Sequence, residues 1–398
     1  VLFQTLDSKQ ECVGIYTGIH NNGTLLFGED AIPDCFGGTH TWSYASYLEG
    51  YDIEYAYLYC GLGLDEVCPE PLRNDWQFVN ARLQAFVRSF VEAKISLDDN
   101  CFFDLVPERF LKDYCYMKDQ ICKFVFENYD RPVNYDHLLA TNSLIHKIAF
   151  QKLKLNSLKM KKQMHRKSIR EQVRKLRNVQ PYCKYNLFGT KTGRLTTRKN
   201  SFPILTLPKE LRSIIQPRNH FFVSFDFNGA ELRTLVALGG SEQPLGDIHE
   251  WNRCNVYRKI GSREKAKKRF FSWLYNPDSK DHLSSRFYDR ESVLKECWDG
   301  TTVTTIYGRQ IEVDKRKALN YLIQSTTSDM VMEQAVKLDE FLKTFKSNIA
   351  FVIHDEVVLD MDRNEMHLLK KMQEIFADTR LGTYMVGVKE GSDYGIAA

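Results

Sequence analysis

"FKSNIAFVIHDEVVLDMDRN", Phe345 to Asn364, sets one apolar run, Ile349 to Ile353, against a second, Val357 to Leu359, with His354, Asp355 and Glu356 between them. The β-branched flanks predict two short strands of a hairpin. The junction lacks the Gly, Asn or Pro that a tight hairpin turn ordinarily uses. Two readings stand open at this point. Either this is a surface turn whose polar residues happen to be charged, or the strand tip holds carboxylates toward a cation.

At 398 residues the chain is too long for one hydrophobic core and predicts two to four lobes. A hydrophobic fraction of 43% and a charged fraction of 27% belong to a globular protein, not a disordered one. No apolar stretch reaches the length of a membrane span, and no signal-peptide pattern opens the chain, so the expectation is a cytoplasmic protein without membrane contact. Ten cysteines without a CxxC pair argue against zinc and for reduced, mostly buried thiols. The opening "VLFQ" resembles the remnant of a protease site and receives no functional weight.

Net charge is only +4, yet Gln151 to Gln180 holds eleven Lys or Arg and one acid, Glu171, so the rest of the chain is net acidic. A solvated helix face explains many such runs. Cations this concentrated, including Lys161, Lys162, Arg166 and Lys167, are also what contact with a phosphate backbone requires.

A second acidic tip follows from "NHFFVSFDFNGAELRTLVALGG". Its apolar strand, Phe221 to Phe225, stops at Asp226, and Ala230, Leu232, Leu235, Val236 and Leu238 then fit an amphipathic helix. Asp226 is either a helix N-cap or a partner for Asp355, 129 residues later. If the two strands are neighbours, the carboxylates repel and remain ionised together only with a cation between them. Oxygen ligands suit Mg²⁺, and two such ions about 4 Å apart serve an in-line phosphoryl transfer. Between the two tips, Arg263, Lys267, Phe271 and Tyr275 recur every four residues, so a helix presents two cations and two rings on one face. That face suits a triphosphate with its base and sugar, although Lys265, Lys268 and Arg269 show that cations are not confined to it.

The order of these motifs resembles motifs A, B and C of the family A (polymerase I-like) DNA polymerases, in the style of a bacteriophage or viral member. "DFNGAELR" from Asp226, the Arg263 to Tyr275 helix and "HDE" from His354 carry the likeness. "KTGRLTTRKNSFP" and "RKALNYLIQSTTSD" resemble two further family segments, and together the matches span about Thr192 to Tyr394. Asn276 stands where the family has Gly after the motif B Tyr, and Ser325 replaces another Gly.

The resemblance implies an α/β (α+β) right-hand polymerase with an antiparallel-sheet palm, helical fingers, a helical thumb and a small N-terminal α/β lobe. The corresponding division is an N-terminal lobe over 1–100, thumb over 101–180, palm over 181–245 and 312–398, and fingers over 246–311. It implies a DNA-directed DNA polymerase that extends a primer with dNTPs on primer-template DNA, in replication or repair. Asp226 and Asp355 would hold two Mg²⁺ ions, with Mn²⁺ able to substitute. Arg263, Lys267 and His249 would face the triphosphate, Phe271 the incoming nucleotide and Tyr275 the templating base. Arg194, Asn320 and Gln324 would read the minor-groove edge, His354 would meet the primer end, and Glu231 would exclude a 2′-hydroxyl. The basic segment would grip duplex backbone, and the enzyme is expected to act as a monomer. "DIE" at Asp52 to Glu54 has an exonuclease-like spacing that the following sequence does not continue, so no proofreading is expected. A shrunken exonuclease-like scaffold and an unrelated accessory lobe both remain open for the N-terminal lobe. A catalytically silent primer-template binder and a ribonucleotide-tolerant enzyme are the alternatives to be discriminated.

Overall fold

The computed structural model describes residues 2–7, 9, 13–18, 23–28, 39–165 and 167–397. The chain divides into two compact units, Val1–Lys147 and Ile148–Ala398. Among the described residues no helix is long and apolar enough to cross a membrane.

In the first unit, strands β1 (Gln4–Thr5), β2 (Gly14–Tyr16) and β3 (Leu25–Phe27) pair antiparallel in that order, and β4 (His40–Thr41) runs parallel to β5 (Glu54–Tyr55). Helices α1 (Arg73–Glu92) and α2 (Glu108–Asn128) supply the core, in which Phe110, Cys115, Ile121, Cys122 and Val125 are fully buried. Phe3 and Gln4 are buried, and Gln4 pairs with Tyr16. Glu54 is engaged by the Arg131 guanidinium at 3.0 Å and the Tyr59 hydroxyl at 2.6 Å, while Asp52 is exposed. That spacing therefore assembles no carboxylate cluster in the described residues. Among the described residues seven cysteines are free thiols, whereas Cys101 is disulfide-bonded, a departure from the expectation of reduced thiols.

The second unit opens with the end of α3 (Tyr135–Ala149), then the basic helices α4 (Ser157–Lys162) and α5 (Lys167–Arg177). Their apolar stripe, Met160, Ile169, Val173 and Leu176, is buried, and Lys161, Lys162 and Lys167 are exposed; Arg166 lies outside the described residues. Next come β6 (Phe221–Phe227), α6 (Ala230–Leu238), α7 (Ile248–Asn255) and α8 (Arg263–Tyr275). A small hairpin, β7 (Thr302–Thr304) with β8 (Gln310–Glu312), precedes the long helix α9 (Lys315–Leu342). The chain then forms β9 (Asn348–Ile353), β10 (Glu356–Met361), α10 (Leu369–Ala377) and β11 (Val386–Gly391).

The central sheet is antiparallel in the order β9, β10, β6, β11. Period-two alternation sorts β6 onto two faces. Phe225 and Phe227 stack on Phe376 of α10, with ring centroids 5.7 and 4.3 Å apart, and Tyr384 meets Phe227 edge-on. Ser224 and Asp226 alternate with these rings and so belong to the opposite face. Strand β6 runs two residues further than the apolar pattern predicts, because Phe227 continues the buried alternation past Asp226. On the edge strand β9, the Tyr185 hydroxyl donates to the Val352 carbonyl at 2.7 Å and accepts from its N–H at 3.0 Å.

Removing the ring common to this stack leaves a cavity that neighbouring rings fill only in part. Phe376→Ala is expected to cost about 3–5 kcal/mol, read as a lower urea midpoint at unchanged slope. A loss below about 1 kcal/mol would show that the stack does not support the sheet.

Candidate active site

Registry decides where the carboxylates fall. Asp226 lies opposite Glu356 on β10 and opposite Gly387 on β11, and Ile353 pairs with Glu356, so His354 and Asp355 alone form the turn beside Asp226. His354 adopts φ 54°, the left-handed region that such turns usually assign to Gly or Asn. The missing turn chemistry is thus met by a histidine, at a cost of about 1–2 kcal/mol that the paired strands offset.

The Asp226 carboxyl is pushed up to about 7, first by loss of hydration and then by Asp355 and Glu356, while Lys389 and Lys267 pull it down. Glu356, also raised by burial, accepts a hydrogen bond from the Ser224 hydroxyl at 2.5 Å. Two close carboxylates short of positive charge fit a hard divalent cation that takes its remaining ligands from water and phosphate.

Both aspartates line a cavity of about 490 Å³ together with Arg194, Glu231, His249, Arg263, Lys267, Phe271, Tyr275 and His354. The four residues of α8 spaced by four do share its cavity face, and Ala266, Phe270, Trp273 and Leu274 are buried on the other. Phe271 and Tyr275 stack with centroids 5.8 Å apart and planes 13° from parallel. The helix ends at Tyr275 because Asn276 is extended, φ −105° and ψ 106°; the left-handed backbone for which Asn would be suited is not used.

The cations are not equally free. Arg263 forms a fork with Asp247 at 3.0 and 2.6 Å, and Asn228 donates to the same carboxylate at 2.8 Å. Burial opposes ionisation of Asp247, but the bonds from Arg263, Asn228 and the Glu250 N–H outweigh it and hold the carboxyl well below its ordinary value. Burial, with Lys267 and Arg263 nearby, lowers His249 to about 4, so its imidazole is neutral at pH 7. Its Nδ1 has no hydrogen-bond partner among the described residues. Gly229, at φ +64°, lies against this ring: a Cβ there would come within 3.1 Å of Nε2. Glu231 is pinned by both Arg194 and the Tyr275 hydroxyl.

Gln324 lies beside the Tyr275 hydroxyl. Asn320 sits one turn earlier on α9, and its buried Oδ1 has no partner among the described residues. Neither lines the cavity, although Ser328, one turn beyond Gln324, does. The basic residues Lys161, Lys162 and Lys167 are outside it. Sequence reading missed Asp247 as the partner of Arg263 and Asn228 as a further donor to Asp247. Asp247 stands two residues before His249, in a position whose plainest signal is a helix N-cap, a role it also fills toward the Glu250 N–H at 2.8 Å.

No family model matches the sequence. The chain is 23% identical to DNA polymerase I of Lactococcus lactis subsp. lactis over 236 residues, 46% of this chain and 27% of that protein. It is 24% identical to the DNA polymerase of Mycobacterium phage L5 over 251 residues, 52% of this chain and 42% of that protein. It therefore spans less than half the length of these relatives. The structure superposes on the POL domain of Pol1 from M. smegmatis, solved in complex with DNA primer-template and dNTP, with a TM-score of 0.66 at 10% identity. That match covers 100% of this chain and 96% of the other, and it establishes the fold as that of a polymerase domain.

A carboxyl raised from 3.8 to about 7 binds a proton in the folded chain that the unfolded chain has already released, so stability falls as pH rises between those values. Metal-free Asp226→Asn is thus expected to melt above wild type near pH 8 and level with it below about pH 4. A gain of equal size at both pH values would assign it to something other than ionisation.

Proposed function

We infer that this chain, a relative of the polymerase I-like (family A) DNA polymerases by sequence and by fold, is a template-dependent DNA polymerase that extends a primer 3′ end with dNTPs. The observation that carries this reading is the meeting of side chains from five separate stretches, around Arg194, Asp226, His249, Arg263 and Asp355, in one cavity. A protein that only bound DNA would have no need of exposed cations beside two repelling carboxylates.

In the proposed mechanism Asp226 and Asp355 would hold two Mg²⁺ ions, which would supply stabilisation of the charge that develops in nucleotidyl transfer. Lys267 meets the triphosphate as a free cation, whereas Arg263 exchanges part of its fork with Asp247 for phosphate oxygens. His249, neutral, orients phosphate by hydrogen bonding and not by charge. The stacked Phe271 and Tyr275 offer flat surface to the nucleotide and the templating base. Glu231, immobilised from two sides, makes a rigid obstacle to a 2′-hydroxyl. Arg194, Asn320 and Gln324 supply donors and acceptors for the minor-groove edge, and His354 abuts the primer end.

The exposed cations of α4 and α5, with Arg166, are assigned to duplex backbone, mostly without reading sequence. In the same reading the thumb covers 101–180, the palm 181–245 and 312–398, and the fingers 246–311. Residues 1–100 form an N-terminal lobe, either a vestigial exonuclease-like scaffold or an accessory lobe, for which no proofreading activity is expected. The enzyme works as a cytoplasmic monomer, in the host cytoplasm if phage-encoded, in replication or repair.

Primer extension on a labelled primer-template with Mg²⁺ tests this. Wild type is expected to extend with dNTPs, and Asp355→Ala to lose extension by at least about 1,000-fold while still binding DNA. Tight binding without extension by wild type would identify a silent binder. Glu231→Ala is expected to raise ribonucleotide incorporation relative to dNTP use, and an unchanged ratio would remove Glu231 from sugar selection.

A further inference from the structure

We propose that Arg309, which lies outside the cavity, is a positioning residue that fixes the backbone through Gly193 and so sets the reach of Arg194. The inference rests on the polymerase reading for its effect on catalysis but not for its geometry.

Arg309 closes the β7–β8 hairpin and is held at both ends. The Thr305 hydroxyl accepts from the backbone N–H groups of Tyr307 at 3.3 Å and Arg309 at 3.2 Å, and the Thr305 N–H donates to the Arg309 carbonyl at 2.9 Å. At the other end the guanidinium donates from Nε and Nη2 to the two oxygens of Asp329, at 2.8 and 2.7 Å. The Asp329 side chain is only 2% exposed and that of Arg309 only 12%, so the fork is shielded from water. A two-point bond to a carboxylate on a helix leaves the guanidinium plane almost no freedom.

Gly193 lies flat on that plane. A Cβ there would stand 2.5 Å from both Cζ and Nη2 of Arg309 and 2.9 Å from Nε, and its φ of +73° also disfavours any side chain. On its other side the loop is tied to itself: the Gly193 N–H donates to Thr190 at 3.3 Å, and the Thr190 hydroxyl donates to the Arg194 carbonyl at 2.9 Å. The next side chain, Arg194, enters the cavity and pairs with Glu231. Asp329 directly follows Ser328, which lines the same cavity. One rigid unit, α9, thereby supports the cavity wall and, through Asp329 and Arg309, the loop that carries Arg194. A lysine at 309 would keep the charge and lose the plane.

The test is a double-mutant cycle on single-turnover insertion of a correct dNTP, using Arg309→Lys, Arg194→Ala and the pair in the full chain. Alone, Arg309→Lys is expected to slow insertion by about 10- to 100-fold, the scale of a small misplacement. In the Arg194→Ala background it should add less than about twofold, since its route to the chemistry is gone. Effects that multiply independently would overturn the inference. A readout without catalysis accompanies it: the ¹⁵Nε resonance of Arg194 is expected to shift in Arg309→Lys, and an unshifted resonance overturns the inference whatever the activity. If wild type fails to extend while the resonance shifts, the polymerase reading fails and the positioning contact stands. Should Arg309→Lys not fold, Gly193→Ala, which removes neither partner of the Asp329 pair, takes its place in the same cycle with the same expected outcomes.

Discussion

Everything in the second unit depends on holding two like charges together. Asp226 and Asp355 belong to different stretches of chain, and only the antiparallel register of β6 with β10, closed by a two-residue turn, makes them neighbours. Because side chains alternate along a strand, a slip of one residue would send Asp226 to the Phe376 side and bury a carboxylate among rings. The aromatic stack and the carboxylate pair are consequently two faces of one constraint. The apolar face supplies the favourable burial that sets the register, and the polar face carries the repulsion that the register imposes.

The cavity around this pair is organised by prior commitments. Arg263 is engaged by Asp247, Glu231 by Arg194 and Tyr275, and Phe271 by Tyr275, so a ligand entering here exchanges partners and does not fill an unstructured space. Such preorganisation holds polar groups in position before a substrate arrives and lowers the cost of ordering them. Of the two α8 cations that line the cavity, Lys267 differs from Arg263: it is exposed and has no ion pair among the described residues, which leaves its charge available to the phosphates assigned to it.

What could be read from sequence was what is local or periodic. The spacing of four that joins Arg263 to Tyr275 survives folding because a helix converts it directly into a shared face. Asp226 and Asp355 were legible as interruptions of apolar strands, and the family likeness agrees with the observed fold. What escaped was non-local or ambiguous. An aspartate before a helix looks the same whether it only caps that helix or also anchors an arginine, as Asp247 does. A glycine lying on a guanidinium more than a hundred residues later leaves no trace in spacing. Asn276 takes an extended backbone, and His354 takes a left-handed one where neither Gly nor Asn is present.

The contact between Tyr185 and Val352 bears on behaviour in concentrated solution. Strand β9 is at the edge of the central sheet, is almost wholly apolar, and would offer its free N–H and C=O groups to a strand of another molecule. One phenol, buried and carried on a short strand paired with Thr196 and Thr197, occupies both backbone groups of Val352 and takes the place a foreign strand would need. A single side chain thus stands guard against edge-to-edge self-association, close to the hairpin whose tip must stay open to its ligands.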